Sequence, residues 1–255
     1  MHFNCCPSEL EKDQILDHLL YLKNQHKTPS ESYFKHTVYG LRALYRILGF
    51  EDKHISLPQI ERSKKLPIVL SQSEVKRVIS TPKLLKHKLI LSLLYDCGLR
   101  RFELLNIELC DIDFDRKMLH IREGKGRKDR YIPLGDLIIK GIKTYIFAEK
   151  PTKWLFNSTD SEGKPRQYAA SGVQWVIRET RRKSGVQKKF TAHTLRHSYA
   201  THLLEMGLDI VSLKELLGHS SIETTMLYLH ISNLGRQRAF SPLDRIYSVD
   251  KSTKK

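Results

Sequence analysis

The 255-residue chain predicts a mainly α-helical protein with a small antiparallel β-sheet, preceded by a short N-terminal helical arm. Three observations lead there. Apolar residues recur every three to four positions over most of the chain, the period of amphipathic helices. Two short apolar runs, at 118–121 and 130–132, flank the glycine-containing stretch Gly124-Lys125-Gly126-Arg127-Lys128-Asp129, the pattern of a hairpin. A proline-marked polar stretch divides a small first part of the chain from a large second one.

In the arm, Ser8 and Glu11 stand at capping-box spacing ahead of Ile15, Leu16, Leu19, Leu20 and Leu22, which predicts a first helix over 8–26. Thr28-Pro29-Ser30 interrupts it and offers a new cap. Phe34, Val38, Leu41, Tyr45 and Leu48 then line one face of a second helix, closed by Gly49. Two helices in some 50 residues make a thin core, so this arm is expected to lean on a partner surface. Residues 51–67 read as a linker marked by Pro58, Pro67 and Glu61-Arg62-Ser63-Lys64-Lys65. Ser71 and Glu74 repeat the capping-box signal and open the second domain. Residues 89–95 read as a buried helix ending at Gly98, and 101–109 as a short one. Beyond the hairpin, 137–147, 167–182, 194–206, 209–217 and 221–229 are predicted helical. Periodicity fades after Ser232, in a tail that ends Lys251-Ser252-Thr253-Lys254-Lys255. The expected organisation is an arm over 1–50, a linker over 51–67, a main domain over 68–231 and a tail over 232–255.

Composition bounds the function. Hydrophobic residues make up 40% of the chain and charged residues 28%, which argues against a disordered or fibrous protein. No apolar run approaches the ~18 residues of a membrane span. Cys5, Cys6, Cys97 and Cys110 form no Cys-x-x-Cys pair, so a zinc ribbon or a disulfide framework is not indicated and a reducing cytoplasm is expected. Forty-four Lys+Arg against 28 Asp+Glu leave a net charge of +16, which points to an anionic partner such as nucleic acid. The excess is uneven: residues 1–66 hold 10 basic against 8 acidic side chains, so nearly all of it lies beyond them. Lys76, Arg77, Lys83, Lys86 and Lys88 form one acid-free run, and Arg181, Arg182, Lys183, Lys188 and Lys189 another. One such run is ordinarily a solvated face; several on one domain suit a phosphate-tracking surface.

Individual candidates are ambiguous when taken alone. His193 and Arg196 lie about 60° apart on a helical wheel, at a helix start that itself attracts anions. Arg100 follows Gly98-Leu99 at a helix junction, with Glu103 one turn on as an ion-pair partner. Lys125 sits at a turn tip, where a lysine is most often solvated. Gly218-His219 closes one predicted helix, and Tyr228 lies in the next. No His-x-x-x-His spacing occurs on an apolar-backed face with a nearby acid, so no metal site is expected.

In order and spacing the pieces are far more specific. Gly98-Leu99-Arg100-Arg101-Phe102-Glu103-Leu104, Gly124-Lys125-Gly126, His193-Thr194-Leu195-Arg196-His197-Ser198-Tyr199-Ala200-Thr201-His202, Leu216-Leu217-Gly218-His219 and Tyr228 closely resemble the tyrosine recombinase (phage-integrase) family, from about Leu66 to His230. The resemblance implies an α+β catalytic domain acting on double-stranded DNA. In the family a tyrosine, at the position of Tyr228, attacks a phosphodiester to form a 3′-phosphotyrosine and release a 5′-hydroxyl. Arg100 and Arg196 match the arginines that clamp the phosphate, Lys125 the hairpin lysine that protonates the leaving oxygen, and His193 the general base. His219 matches a second histidine that bonds the phosphate, and Glu103 a supporting acid. The reaction needs no metal, ATP or other cofactor, and family members run it as a tetramer on two DNA sites, the C-terminal tail often docking on a neighbouring subunit.

One departure from the family stands out: the arm is short and near-neutral, so half of the usual DNA clamp looks reduced. Arg62, Lys64 and Lys65 could still cross the backbone, and an accessory DNA-binding protein could help. The leading expectation is a site-specific recombinase or integrase of a mobile element. The alternative is a DNA-binding protein of such an element that occupies sites without completing exchange. A metal-dependent nuclease would need clustered carboxylates that the sequence does not offer.

Overall fold

The computed structural model describes residues 5–24, 31–50, 53, 55–56, 66–122, 129–229 and 231–232, and divides into two units, Met1–Lys65 and Leu66–Lys255.

In the first unit, helices α1 (Lys12–Asn24) and α2 (Glu31–Ile47) close on a core of Ile15, Leu19, Phe34, Val38, Tyr45 and Ile55. The first helix starts later than its capping-box spacing predicts. Pro7–Glu9 instead form a turn of 3₁₀ helix, the Ser8 hydroxyl turns back to Cys6 Sγ, and the side chain of Gln14 accepts the Glu11 amide at 2.9 Å. Polar staples supplement the small core. The Tyr45 hydroxyl donates to the Pro7 carbonyl at 2.7 Å, and Lys53 Nζ donates to the carbonyls of Ser8 and Leu10 while lying over the Tyr45 and Phe50 rings. Gly49, at φ +76°, closes α2 as its position predicts. The Thr28-Pro29-Ser30 cap and most of the linker lie outside the described residues.

The second unit opens on α3 (Gln72–Ser80) with the predicted capping box: Ser71 Oγ accepts the Glu74 amide, and the Glu74 carboxylate accepts the Ser71 amide at 2.7 Å. Helix α4 (Leu85–Asp96) is apolar around most of its circumference because it is central. Leu89, Ile90, Leu91, Leu93 and Leu94 are buried against α6 (Asp136–Glu149) and α8 (Ala192–Glu205), among others. The short helix α5 (Arg101–Asn106) ends three residues before its predicted limit, where Ile107 turns extended and its carbonyl accepts the Leu155 amide. The predicted hairpin is present as β2 (Met118–Ile121) and β3 (Arg130–Pro133), paired antiparallel with Leu119 opposite Ile132. A two-residue edge strand, β1 (Ile112–Asp113), joins β2.

A second hairpin of β4 (Asn157–Thr159) and β5 (Pro165–Gln167) occupies the start of the helix predicted from residue 167. Gln167 is held in that hairpin, its amide reaching the Leu105 carbonyl at 2.9 Å, so the helix α7 spans Ala170–Lys183. Helices α9 (Ile210–Leu217) and α10 (Glu223–Leu229) complete the unit.

Two apolar clusters build the second unit, and α8 belongs to both. Leu195 faces the large cluster around α4, whereas Tyr199, Ala200 and Leu204 join Leu213, Leu217 and Tyr228 in a smaller one with α9 and α10. Helix α8 is therefore buried nearly all round. The Tyr95 hydroxyl meets His202 Nδ1 at 2.8 Å, while Ser198 Oγ accepts the Leu70 amide and donates to the Thr194 carbonyl. Both basic runs turn out to be partly neutralised. Arg182 and Lys183 pair with Glu179, Lys188 with Glu74, and Lys86 with Glu149.

Candidate active site

The site forms where four chain segments meet: the junction before α5, the start of β3, the first turns of α8, and the C-terminal end of α9 leading into α10. Each places a side chain for a local reason. Gly98, at φ +55°, lets the chain leave α4 and turn directly into α5, and a Cβ there would run into the Tyr199 ring. Arg100 is the N-cap of α5, and Glu103, three residues on, accepts its backbone amide at 2.8 Å and its Nη1 at 2.7 Å. On α8, Arg196 points inward, 3% exposed, from a helix already anchored by Ser198 and His202.

The last carbonyls of an α-helix have no partner within it and carry partial negative charge. At the end of α9 three arginines supply those partners. Leu216 O accepts Arg130 Nε at 2.8 Å, Leu217 O accepts Arg196 Nη2 at 2.6 Å, and Gly218 O accepts Arg100 Nη2 at 3.4 Å. Arg196 Nη1 also donates to Gly98 O at 2.6 Å. Glu103 holds the cluster together: Arg130 grips its carboxylate with both Nη atoms, at 3.0 and 2.8 Å, and Arg196 Nη1 lies 3.8 Å away. Burial alone would push this carboxyl up, but the bonds and charges of Arg130, followed by those of Arg100, hold it at about 2. Arg196 is lowered to about 10 by burial and by Arg100, which leaves it fully charged at neutral pH.

His219 follows Gly218, whose φ of +62° ends α9. A guanidinium can only donate, so Arg196 Nη2 at 3.1 Å fixes His219 Nε2 as an acceptor. His219 Nδ1 then carries the hydrogen and donates to Thr225 Oγ1 at 2.9 Å, a buried hydroxyl of α10. Tyr228, one turn further along α10, is 2% exposed. Its hydroxyl lies 2.9 Å from His197 Nδ1, and its ring is parallel to that of His219. Burial raises the phenol above its ordinary range, opposed by Arg196 and Arg100. His193, exposed at the second position of α8, has its ring 6.5 Å from that of His197. Burial, then Arg196, Arg100 and Arg101, lower its pKa below 6.5. An open groove of about 390 Å³, lined by Arg100, His193, Arg101, Phe102, Arg178 and Arg181 among others, leads away from it.

Of the six residues singled out from sequence, Arg100, His193, Arg196, His219 and Tyr228 are thus brought together, and Lys125 lies outside the described residues. Two members of the site went without a role in the sequence reading. Arg130 follows the hairpin turn and reads there as one more basic residue. His197 stands next to Arg196 in the sequence, a position that gives no sign of its contact with α10. Among the described residues no three His, Cys, Asp or Glu side chains form a group fit to hold a metal ion, and no helix is long and apolar enough to cross a membrane. Chemically, the arrangement is a phenol facing a rigid cluster of guanidiniums and imidazoles, suited to an anion at which negative charge grows.

Comparison with known proteins agrees with this chemistry. Residues 69–234 match the Phage integrase family. The chain is 41% identical over 206 residues to tyrosine recombinase XerD of Staphylococcus saprophyticus, covering 76% of this chain and 67% of that protein. It is 34% identical over 197 residues to tyrosine recombinase XerA of Thermococcus onnurineus, covering 76% and 69%. It shares its fold with the Tn1549 transposon integrase in complex with transposon right-end DNA, at a TM-score of 0.64 and 17% identity, over 96% of this chain and 86% of that one.

Proposed function

The chain belongs to the phage integrase family and is a site-specific DNA recombinase, and we propose that Tyr228 is the nucleophile with which it opens a phosphodiester. The observation that carries this is the buried Tyr228, whose ring lies parallel to that of His219, itself bonded to Arg196 in the arginine cluster. The phenolic oxygen forms a bond to phosphorus, the bond to the 5′-oxygen breaks, and that oxygen leaves as a hydroxyl. A 3′-phosphotyrosine remains, which conserves the bond's energy for rejoining to another strand without ATP or metal.

Arg100 and Arg196 bind the non-bridging oxygens, where charge develops in the pentacovalent transition state, and a forked guanidinium suits two such oxygens. To bond the same phosphate, His219 takes a proton on Nε2 and turns that nitrogen from Arg196 to the phosphate oxygen, while Nδ1 stays on Thr225. His193 acts as general base and, in the reverse step, as acid. Lys125 protonates the departing 5′-oxygen. Glu103 and Arg130 support the arginines.

Duplex DNA is the partner, as the +16 charge and the DNA held by the Tn1549 integrase both favour. On this reading the chain is cytoplasmic and belongs to a mobile element, its arm over 1–50 serves in a DNA clamp, and the catalytic domain spans 68–231. The chain assembles as a homo-tetramer on two DNA sites, with the tail docking on a neighbour and an accessory DNA-binding protein possible. A site-occupying protein that leaves exchange incomplete is not favoured, since the relatives are recombinases.

A suicide substrate nicked beside the cleavage point tests the proposal. The expected result is a covalent protein–DNA adduct that forms in EDTA and is absent from Tyr228→Phe. A chain that forms no adduct with any cognate site, or one whose Tyr228→Phe variant still does, would be evidence against it.

A further inference from the structure

We infer that His197 is a positioning residue for this reaction: its Nδ1 accepts the hydroxyl hydrogen of Tyr228 and sets the direction from which the phenolic oxygen meets the phosphate. The inference rests on Tyr228 as the nucleophile. It begins from a contact of 2.9 Å between Tyr228 Oη and His197 Nδ1, with the two rings 5.6 Å apart and inclined at 50°. Among the described residues, that imidazole is the hydrogen-bond partner the hydroxyl has.

Neighbouring groups fix the sense of the bond. Tyr228 keeps its hydrogen at neutral pH, because burial raises its pKa. The charged groups acting on it, Arg196 and Arg100, are donors without a lone pair to offer. His219 lies parallel to the Tyr228 ring at 6.4 Å, and its two nitrogens are engaged by Arg196 and Thr225. Among the described residues, His197 is therefore the group placed to accept from the phenol, and it does so through an Nδ1 that bears no hydrogen. Burial, His193 and Arg196 lower the pKa of His197 to about 4, so the ring is neutral at neutral pH and one of its nitrogens is a free acceptor. The same low basicity makes it a poor final holder of the proton. Its part is to orient the hydroxyl, and the proton passes to His193, the proposed general base, as the bond to phosphorus forms.

The geometry also separates two histidines one helical turn apart. His193 is exposed at the start of α8 and faces the groove beside Arg100, whereas His197 faces the nucleophile. Without His197, the phenol would be free to rotate its oxygen off the line of attack, and misplacement of that size costs on the order of 10²-fold in rate.

The test is single-turnover adduct formation on the nicked suicide substrate by the full chain and its variants, with DNA binding followed by mobility shift. His197→Ala is expected to slow adduct formation about 10²-fold with binding unchanged, and added imidazole is expected to restore much of the rate. His197→Asn, whose Oδ1 stands near the position of Nδ1, is expected to recover most of it. A His197→Ala variant as fast as the parent, or Ala and Asn variants equally slow with no response to imidazole, overturns the inference.

A second readout needs no His197 variant. With ¹⁵N-labelled histidine in the unaltered chain, His197 Nδ1 is expected to show the shift of a hydrogen-bonded nitrogen without a proton, and Tyr228→Phe is expected to move it. An Nδ1 that carries hydrogen, or one indifferent to Tyr228→Phe, overturns the inference. If the parent chain forms no adduct, the proposed function fails and the nitrogen shift still decides the role of His197. If the adduct forms and the His197 arms fail, only the inference falls.

Discussion

Replacing Glu103 by glutamine tests whether one buried carboxylate organises the arginine cluster. The carboxyl sits at about 2 in the folded chain against an ordinary 4.5, a gap that corresponds to about 3 kcal/mol of folding stability. Because the folded value is the lower one, this stability is fully present above pH 4.5 and is lost as the pH falls toward 2. Glu103→Gln forfeits it at neutral pH, and the new amide NH₂ confronts the donors of Arg130 or Arg100. Removing one partner of a buried ion pair costs about 3–5 kcal/mol in general, a range consistent with that figure. Urea unfolding followed by tryptophan fluorescence reads it directly, since both tryptophans, Trp154 and Trp175, lie in the second unit with Glu103. The expected result is a variant about 3 kcal/mol less stable at pH 7, with the gap shrinking to less than half by pH 3. A loss below about 1 kcal/mol at pH 7, or a gap that does not change between pH 7 and pH 3, would refute the reasoning.

Two further outcomes follow from the same geometry. Gly98→Ala places a side chain at φ +55° against the Tyr199 ring and is expected to cost more than about 1 kcal/mol. It should also slow adduct formation, because Gly98 O orients Arg196; an unchanged melting temperature would contradict the account of this turn. His193 is held below 6.5 by burial and by Arg196, Arg100 and Arg101. If it must be neutral to act, the acid limb of the single-turnover pH–rate profile lies below 6.5, and Arg101→Ala moves that limb upward. A limb at or above 6.5 in the parent chain would show that His193 does not set it.

What was legible in the sequence depended on the distance over which each signal acts. Ser71 with Glu74, and Arg100 with Glu103, are three-residue relations, and both form as read. Gly98 and Gly218 mark helix ends where local chemistry demands a left-handed residue. The strands β4 and β5 escaped because three residues each cannot establish an alternation, and Gln167 is placed by Leu105, 62 positions away. Ser8 misled because its spacing to Glu11 fits a cap, while Pro7 and the Cys6 thiol draw it into another turn. In the site, Arg130 owes its role to Leu216, 86 residues on, and His197 owes its role to a helix 31 residues away. Neither relation leaves a trace in local spacing.

The arginines seated on the end of α9 also divide the chain's positive charge into two populations with different sensitivity to salt. Lysines and arginines on the surface feel a phosphate through solvent, where the screening length is about 8 Å at physiological ionic strength, so DNA affinity weakens steeply as salt rises. Arg196, 3% exposed, and Arg130, its side chain 8% exposed, sit behind peptide carbonyls that no counterion displaces. With Arg100 they outweigh Glu103 by two charges, a concentration that fixed backbone dipoles make tolerable. On the proposed roles, added salt therefore empties the complex of DNA long before it blunts the chemistry within it. Finding the target and cutting it draw on separate stores of charge.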